Sequence, residues 1–245
     1  MPKNTPENRS QRAAAHLEAE RRRARNRQLL GVGGVVVVIA LIVGVLFFIQ
    51  QGDEAPAAGE SPAPAGADGY SLAVGPDDAP HTVVVYEDFL CPFCGEFEQA
   101  SRTELADLAE QGQVQVQYRP LDFLGRISDY SLRAANAFAV VLDASGPETA
   151  KTFHDSLFEN QPSESGPFPE DDALVQLAVD AGADETAVRP GIEGLAFAGW
   201  VAEATDAASK AGINGTPTIV LDGEQFSDGE TIDELVQNLT AAIQQ

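Results

Sequence analysis

The sequence predicts an α/β domain, split by a helical insertion and carried outside a membrane by a single transmembrane helix. Three observations lead there. Apolar runs fall in the order strand, helix, strand, a long helical stretch, two strands and a closing helix. The chain's two cysteines, Cys91 and Cys94, sit where the first buried strand meets the first helix. Finally, Leu29 to Ile49 runs without a charge.

That uncharged run would span ~31 Å as a helix, the thickness of a bilayer's hydrocarbon core. Residues 1–28 before it are polar and crowded with arginine (Arg21, Arg22, Arg23, Arg25, Arg27), while Asp53 and Glu54 follow it. This asymmetry puts the N-terminus in the cytoplasm and the rest outside. A cleaved signal peptide competes, with Ala55-Pro56-Ala57 as a weak cleavage site, but the apolar run exceeds the ~7–15 residues usual there. Residues 50–69, rich in Gly, Ala, Pro and acids, read as a flexible linker.

The remaining chain, 70–245, reads as one domain. Tyr70 to Val74 suits a short edge strand, and Gly75-Pro76-Asp77-Asp78-Ala79-Pro80 a turn. Thr82 to Tyr86 is the near-continuous apolar run of a strand buried on both faces. A helix over Gly95 to Glu110 stops at Gly112. Val114, Val116 and Tyr118 then alternate with glutamine in a second strand ending at Pro120, which completes a βαβ unit. No strand is expected from Gly125 to Ala211. Helices are expected near 129–143, 147–159, 170–181 and 193–211, with breaks at Gly146-Pro147, Pro162, Gly182 and Arg189-Pro190-Gly191. Strand character returns at Thr216 to Leu221, turns at Asp222-Gly223 and pairs back near Gln225-Phe226. A capping-box pattern, Thr231 with Glu234, opens the last helix, Ile232 to Ile243.

The formal net charge is −23. Residues 1–29 hold eight Lys/Arg against three Asp/Glu, which leaves seven against 35 in the rest. An acidic body of this kind repels phosphates, so a nucleic-acid partner is excluded and the acidity reads as a solvated surface.

The chemistry lies in Cys91-Pro92-Phe93-Cys94. A strand delivering a CxxC to a helix start favours redox work, because orphan N–H groups and the helix dipole stabilise a thiolate there. Pro92 suits the first turn, where its missing N–H costs nothing. As an inert disulfide the pair would close too short a loop to matter. As a zinc site it would lack partners, since only His16, His81 and His154 stand beside it.

With these motifs in order, the chain resembles the DsbA-like thiol–disulfide oxidoreductases, especially their membrane-anchored bacterial branch. The residues concerned are Gly75 to Pro80, Asp88-Phe89-Leu90-Cys91-Pro92-Phe93-Cys94, Phe153-His154-Asp155-Ser156-Leu157-Phe158 and Gly212-Ile213-Asn214-Gly215-Thr216-Pro217-Thr218. The resemblance covers residues 70–245 and implies a thioredoxin fold with a helical insert at about 125–211. It further implies Cys91 as nucleophile, Cys94 as buried resolving thiol and a cis Pro217 facing them. Pro92, Phe93, Thr216 and Pro217 would contact substrate. On the residues alone an ordinary trans proline at a strand start would be the default. The family's proton-shuttling carboxylate, six residues before the first cysteine, is replaced by Val85. Glu87, on the same strand face, is the stand-in. His154 reads as a packing or surface residue. Counting Glu87, Asp88, Glu96 and Glu98 against the helix dipole, the Cys91 pKa is expected between ~3.5 and ~7, nearer the upper end.

The expected function is extracytoplasmic thiol–disulfide exchange, foremost the oxidation of reduced secreted proteins, with no cofactor beyond the cysteine pair. The resemblance implies a quinone-linked membrane oxidase as redox partner. A reductase or isomerase using the same site, and a tethered binding domain without turnover, are the rival readings.

Overall fold

The computed structural model describes residues 61–245. The expected tail, the membrane span at 29–49 and linker residues 50–60 lie outside the described residues. Among the described residues, no helix is long and apolar enough to cross a membrane.

Five strands form one sheet in the order β1-β3-β2-β4-β5. They are β1 (Leu72–Val74), β2 (His81–Glu87), β3 (Val114–Pro120), β4 (Thr218–Leu221) and β5 (Glu224–Phe226). Strand β2 lies at the centre, parallel to β3 with Val85 opposite Tyr118, and antiparallel to β4 with Tyr86 opposite Thr218. Central placement is what its valine run requires, since both of its faces are covered. Val83 and Val85 belong to the main core, whereas Val84 and Tyr86 pack on the other face with Ala204 and Ala208. Glu87 follows the Val83–Val85 alternation, so it points into the main core.

Helix α1 (Pro92–Glu110) leaves β2 directly and buries Phe97, Leu105 and Leu108, each worth ~1.5–3 kcal/mol. It packs beside the closing helix α6 (Ile232–Ile243), whose Thr231 hydroxyl accepts the Glu234 N–H at 3.2 Å. The insert consists of α2 (Tyr130–Glu159), α3 (Asp171–Asp180), α4 (Glu185–Glu193) and α5 (Ala198–Lys210). As expected, Gly146-Pro147 interrupts α2, with Gly146 at φ 82°. Between β4 and β5, Asp222 and Gly223 both take positive φ, the geometry of a two-residue hairpin.

Two sequence expectations need correction. Arg189-Pro190-Gly191, read as a break, lies inside α4. The Asp184 carboxylate caps that helix by accepting the Thr186 and Ala187 N–H groups. Arg189 ties Glu185, Asp172 and Glu193 together, and Val188 and Ile192 are buried. These contacts outweigh the one backbone bond that Pro190 forgoes. Leu195, at φ 52°, then ends the turn, so the helix expected from 193 begins at Ala198.

Nor is the linker free up to Gly69. The Ser61 N–H and hydroxyl donate to Glu203 at 3.0 and 2.9 Å, Ala65 N–H donates to Asp143 at 2.8 Å, and Pro64 is buried. The Trp200 indole donates to the Gly69 carbonyl. Prolines lower the entropy that such a segment loses on docking, and the insert offers it carboxylates.

A fragment spanning 61–245 is therefore expected to be more stable than one spanning 70–245. The lost hydrogen bonds and Pro64 packing amount to ~1–2 kcal/mol, or about 3–6 °C in the unfolding midpoint of a domain this size. Calorimetry of both fragments checks this, and equal midpoints would show that the docked segment contributes nothing.

Candidate active site

The segment between β2 and α1 is fixed before any cysteine chemistry enters. Asp88, fully buried, accepts four hydrogen bonds: from the N–H groups of Leu90, Phe123 and Leu124, each at 2.9 Å, and from the Ser131 hydroxyl at 2.8 Å. Burial pushes its carboxyl pKa up despite these donors. From the far end of α2, Gln161 donates its side-chain amide to the carbonyls of Phe89 and Cys91 at 3.1 and 2.9 Å. Neither anchor was foreseen from the sequence, because apart from the Asp88–Leu90 bond each joins residues 35 or more positions apart.

Cys91 is the N-cap of α1 and Pro92 opens the helix, as the sequence reading required. Both cysteines are free thiols. The Cys91 thiol donates to the Thr216 carbonyl at 3.2 Å, and the Thr216–Pro217 bond is cis. The chain's C-terminal half thus brings Thr216 against Cys91, as expected. Phe93 stands 60% exposed at the mouth. Together with Pro217, Ile219, Phe226, Ile232 and Leu235 it lines a groove of about 480 Å³ beside the pair.

The two thiols differ sharply. Cys91 is lowered to about 6, chiefly because the Cys94 thiol hydrogen-bonds to its sulfur. Partial burial opposes this, while the Thr216 side chain and the backbone N–H groups of Cys94 and Phe93 assist it. Cys94, 1% exposed, is raised well above the ordinary thiol value, first by burial and then by Cys91 itself. The value for Cys91 falls in the expected interval, but for a different reason. The carboxylates counted against the thiolate are not among its main influences. Asp88 is occupied by N–H donors, and Glu87 and Glu98 are buried around His154.

That histidine is neither a surface residue nor simple packing. His154 is fully buried in α2, with its Nε2 at 2.6 Å from Glu87 and its Nδ1 at 3.2 Å from Asp155. Glu98 of α1 lies 3.9 Å from the Nδ1. The rings of Phe89, Tyr118, Phe138 and Phe158 enclose the imidazole at centroid distances of 4.6–6.0 Å. Burial works against the imidazolium, but Glu87 and Glu98 raise it above the ordinary histidine value. Burial likewise pushes Glu98 up. The helical spacing of Cys94 and Glu98 puts both on one face of α1, whereas Glu87 is engaged by His154.

A family model described as thioredoxin matches residues 67–241. The chain belongs to the thioredoxin family. Among solved thioredoxin folds, oxidised DsbA of Mycobacterium tuberculosis superposes with a TM-score of 0.59 at 28% identity, covering 71% of this chain and 91% of that one. This makes the present fold DsbA-like. Disulfide bond formation protein D of Bacillus subtilis is 28% identical over 173 residues, 67% of this chain and 74% of that protein. The serine/threonine-protein kinase PknE of M. tuberculosis is 32% identical over 155 residues, 60% of this chain. The chain spans only 27% of the kinase's length.

Two outcomes follow from this geometry. Asp88→Ala should destabilise the domain by roughly 3 kcal/mol, because it leaves buried N–H groups without acceptors. Urea unfolding measures this, and a change below about 1 kcal/mol would mean that water replaces the carboxylate. The second concerns pH. Cys91 titrates near 6 in the folded dithiol form, below an unfolded value of ~8.5. Above pH 6 the unfolded chain holds the proton that the native state has released. The reduced protein should therefore gain stability as pH rises from 6 to about 8.5, and lose that increment as pH falls through 6. Unfolding midpoints of wild type and Cys91→Ser across this window test the effect, which the variant should lack.

Proposed function

We propose that the chain is an extracytoplasmic thiol–disulfide oxidoreductase that works as an oxidase, introducing disulfides into reduced secreted proteins through Cys91 and Cys94. The observation that carries this reading is the division between an ionisable Cys91, the less buried of the two at a helix start, and a Cys94 enclosed more fully that keeps its proton. The names of the M. tuberculosis and B. subtilis relatives support it.

The cycle starts from the Cys91–Cys94 disulfide. A substrate thiolate attacks Cys91 Sγ, the less buried sulfur, forming a mixed disulfide while Cys94 leaves and takes up a proton. A second substrate thiolate attacks the substrate sulfur of that mixed disulfide, and Cys91 departs as a thiolate. Two substrate thiols lose two electrons and two protons. The pair keeps the electrons and, at neutral pH, one proton on Cys94. The low Cys91 pKa makes it a good leaving group in the second step. An extended substrate segment is held strand-wise at Thr216, with apolar side chains against Phe93, Pro217 and Phe226. Glu87, expected as the proton shuttle, is tied to His154 at 2.6 Å, so in this reading it does not exchange protons with Cys94 freely.

The span at 29–49 serves as anchor in this proposal. It holds the domain near a quinone-linked membrane oxidase that regenerates the disulfide, at high effective concentration. Reduction by the same pair would reverse the electron flow and isomerisation would transfer no net electrons, both starting from the reduced pair, and the potential separates these from oxidation. With Cys91 near 6, between the ~3.5 and ~7 of the most and least oxidising reference thiols, the expected potential lies between about −120 and −270 mV. Equilibration with glutathione buffers measures it. A value below about −270 mV would overturn the oxidase direction. Oxidation of a dithiol peptide should vanish in Cys91→Ser, and turnover surviving in that variant would remove Cys91 from the mechanism.

A further inference from the structure

We propose that Glu87, Glu98 and His154 form a binding site for one divalent transition-metal ion of the zinc or manganese type. The three side chains come from β2, α1 and α2, all are fully buried, and one ligand atom of each lies within 4.8 Å of the others. Three carboxylate oxygens in this pocket have no hydrogen-bond partner: Glu87 Oε2 and both oxygens of Glu98. Buried ionised carboxylate oxygens left this way cost several kcal/mol unless a cation or a proton meets them.

Among the described residues, no cationic side chain hydrogen-bonds to these oxygens. An imidazolium has two N–H donors, and His154 directs one to Glu87 and the other to Asp155. Glu98, at 3.9 Å, is beyond hydrogen-bonding range. Lys151 pairs with Asp155, and Arg102 with Asp155 and Glu159. The four surrounding aromatic rings keep bulk water out. The unpartnered carboxylate oxygens therefore belong to a cluster in which one ligand atom from each of the three side chains lies within 4.8 Å of the others.

The donor set selects the ion. One imidazole with two carboxylates suits zinc, manganese or ferrous iron, whereas calcium and magnesium take oxygen ligands. Asp155 supplies the outer contact that such sites use, accepting the Nδ1–H and leaving Nε2 for the metal. Ligand distances of ~2.0–2.2 Å require Glu87 to rotate off its hydrogen bond with His154 and Glu98 to move inward. Glu98, now 3.9 Å from Nδ1, has two unpartnered oxygens with which to bind.

The test uses the full chain with its cysteine pair oxidised, so that thiolates do not take the metal. The protein is stripped with a chelator, incubated with one equivalent of zinc or, separately, manganese, desalted, and assayed for bound metal and unfolding midpoint. Wild type should retain about one ion per chain and unfold several degrees higher than the stripped form. Glu98→Gln preserves the packing volume, so it should stay folded and bind at least tenfold more weakly. His154→Gln serves as the second variant should the first unfold. Retention near zero in wild type would overturn the site and leave the imidazolium as the pocket's cation. Equal retention in a folded Glu98→Gln protein would overturn it as well, by placing the metal elsewhere.

Discussion

The buried Asp88 carboxylate is the constraint on which the site depends. It gathers the N–H groups of Leu90, Phe123 and Leu124 with the Ser131 hydroxyl. In doing so it joins the loop before the cysteines, the loop after β3 and the first turn of the insert. A charge placed inside a protein is tolerated only with such a full set of donors. The loop cannot shift without stranding several of them at once. That rigidity fixes Cys91 at the start of α1 and opposite Thr216, and the thiol chemistry follows from the position.

The insert does more than cover one side of the sheet. From α2 it contributes Ser131 to the Asp88 cluster and His154 to the glutamates. Just past the end of that helix, Gln161 reaches the Cys91 carbonyl. Both ends of one long helix therefore act on the segment carrying the cysteines. The break at Gly146-Pro147 lets the two halves of α2 take the different directions this requires.

The acidity of the domain bears little on its reactive thiol. Distance, burial and prior hydrogen bonding decide which charges a sulfur senses, and the nearest carboxylates in sequence are already engaged or turned away. Cys94, at hydrogen-bonding range, has a greater effect on Cys91 than any of them. Two identical side chains three residues apart consequently differ widely in proton affinity, because Cys94 hydrogen-bonds to the Cys91 sulfur while Cys94 itself is buried.

The sequence by itself determined the local elements. Thr82 to Tyr86 read as a strand buried on both faces, Cys91-Pro92 suited a helix start, Thr231 and Glu234 marked the last helix, and Gly146-Pro147 marked the break in α2. Each is a short-range effect of backbone freedom, capping or side-chain alternation, so neighbouring residues suffice to reveal it. Tertiary structure decided the rest. It turned Arg189-Pro190-Gly191 from an expected break into part of a helix, by giving Arg189 three carboxylates and burying Val188 and Ile192. It docked residues 61–69 on the insert, and it drew His154 across 67 positions to Glu87. Those outcomes depend on which partners the fold brings within a few ångströms, and no local pattern of residue types encodes that distance.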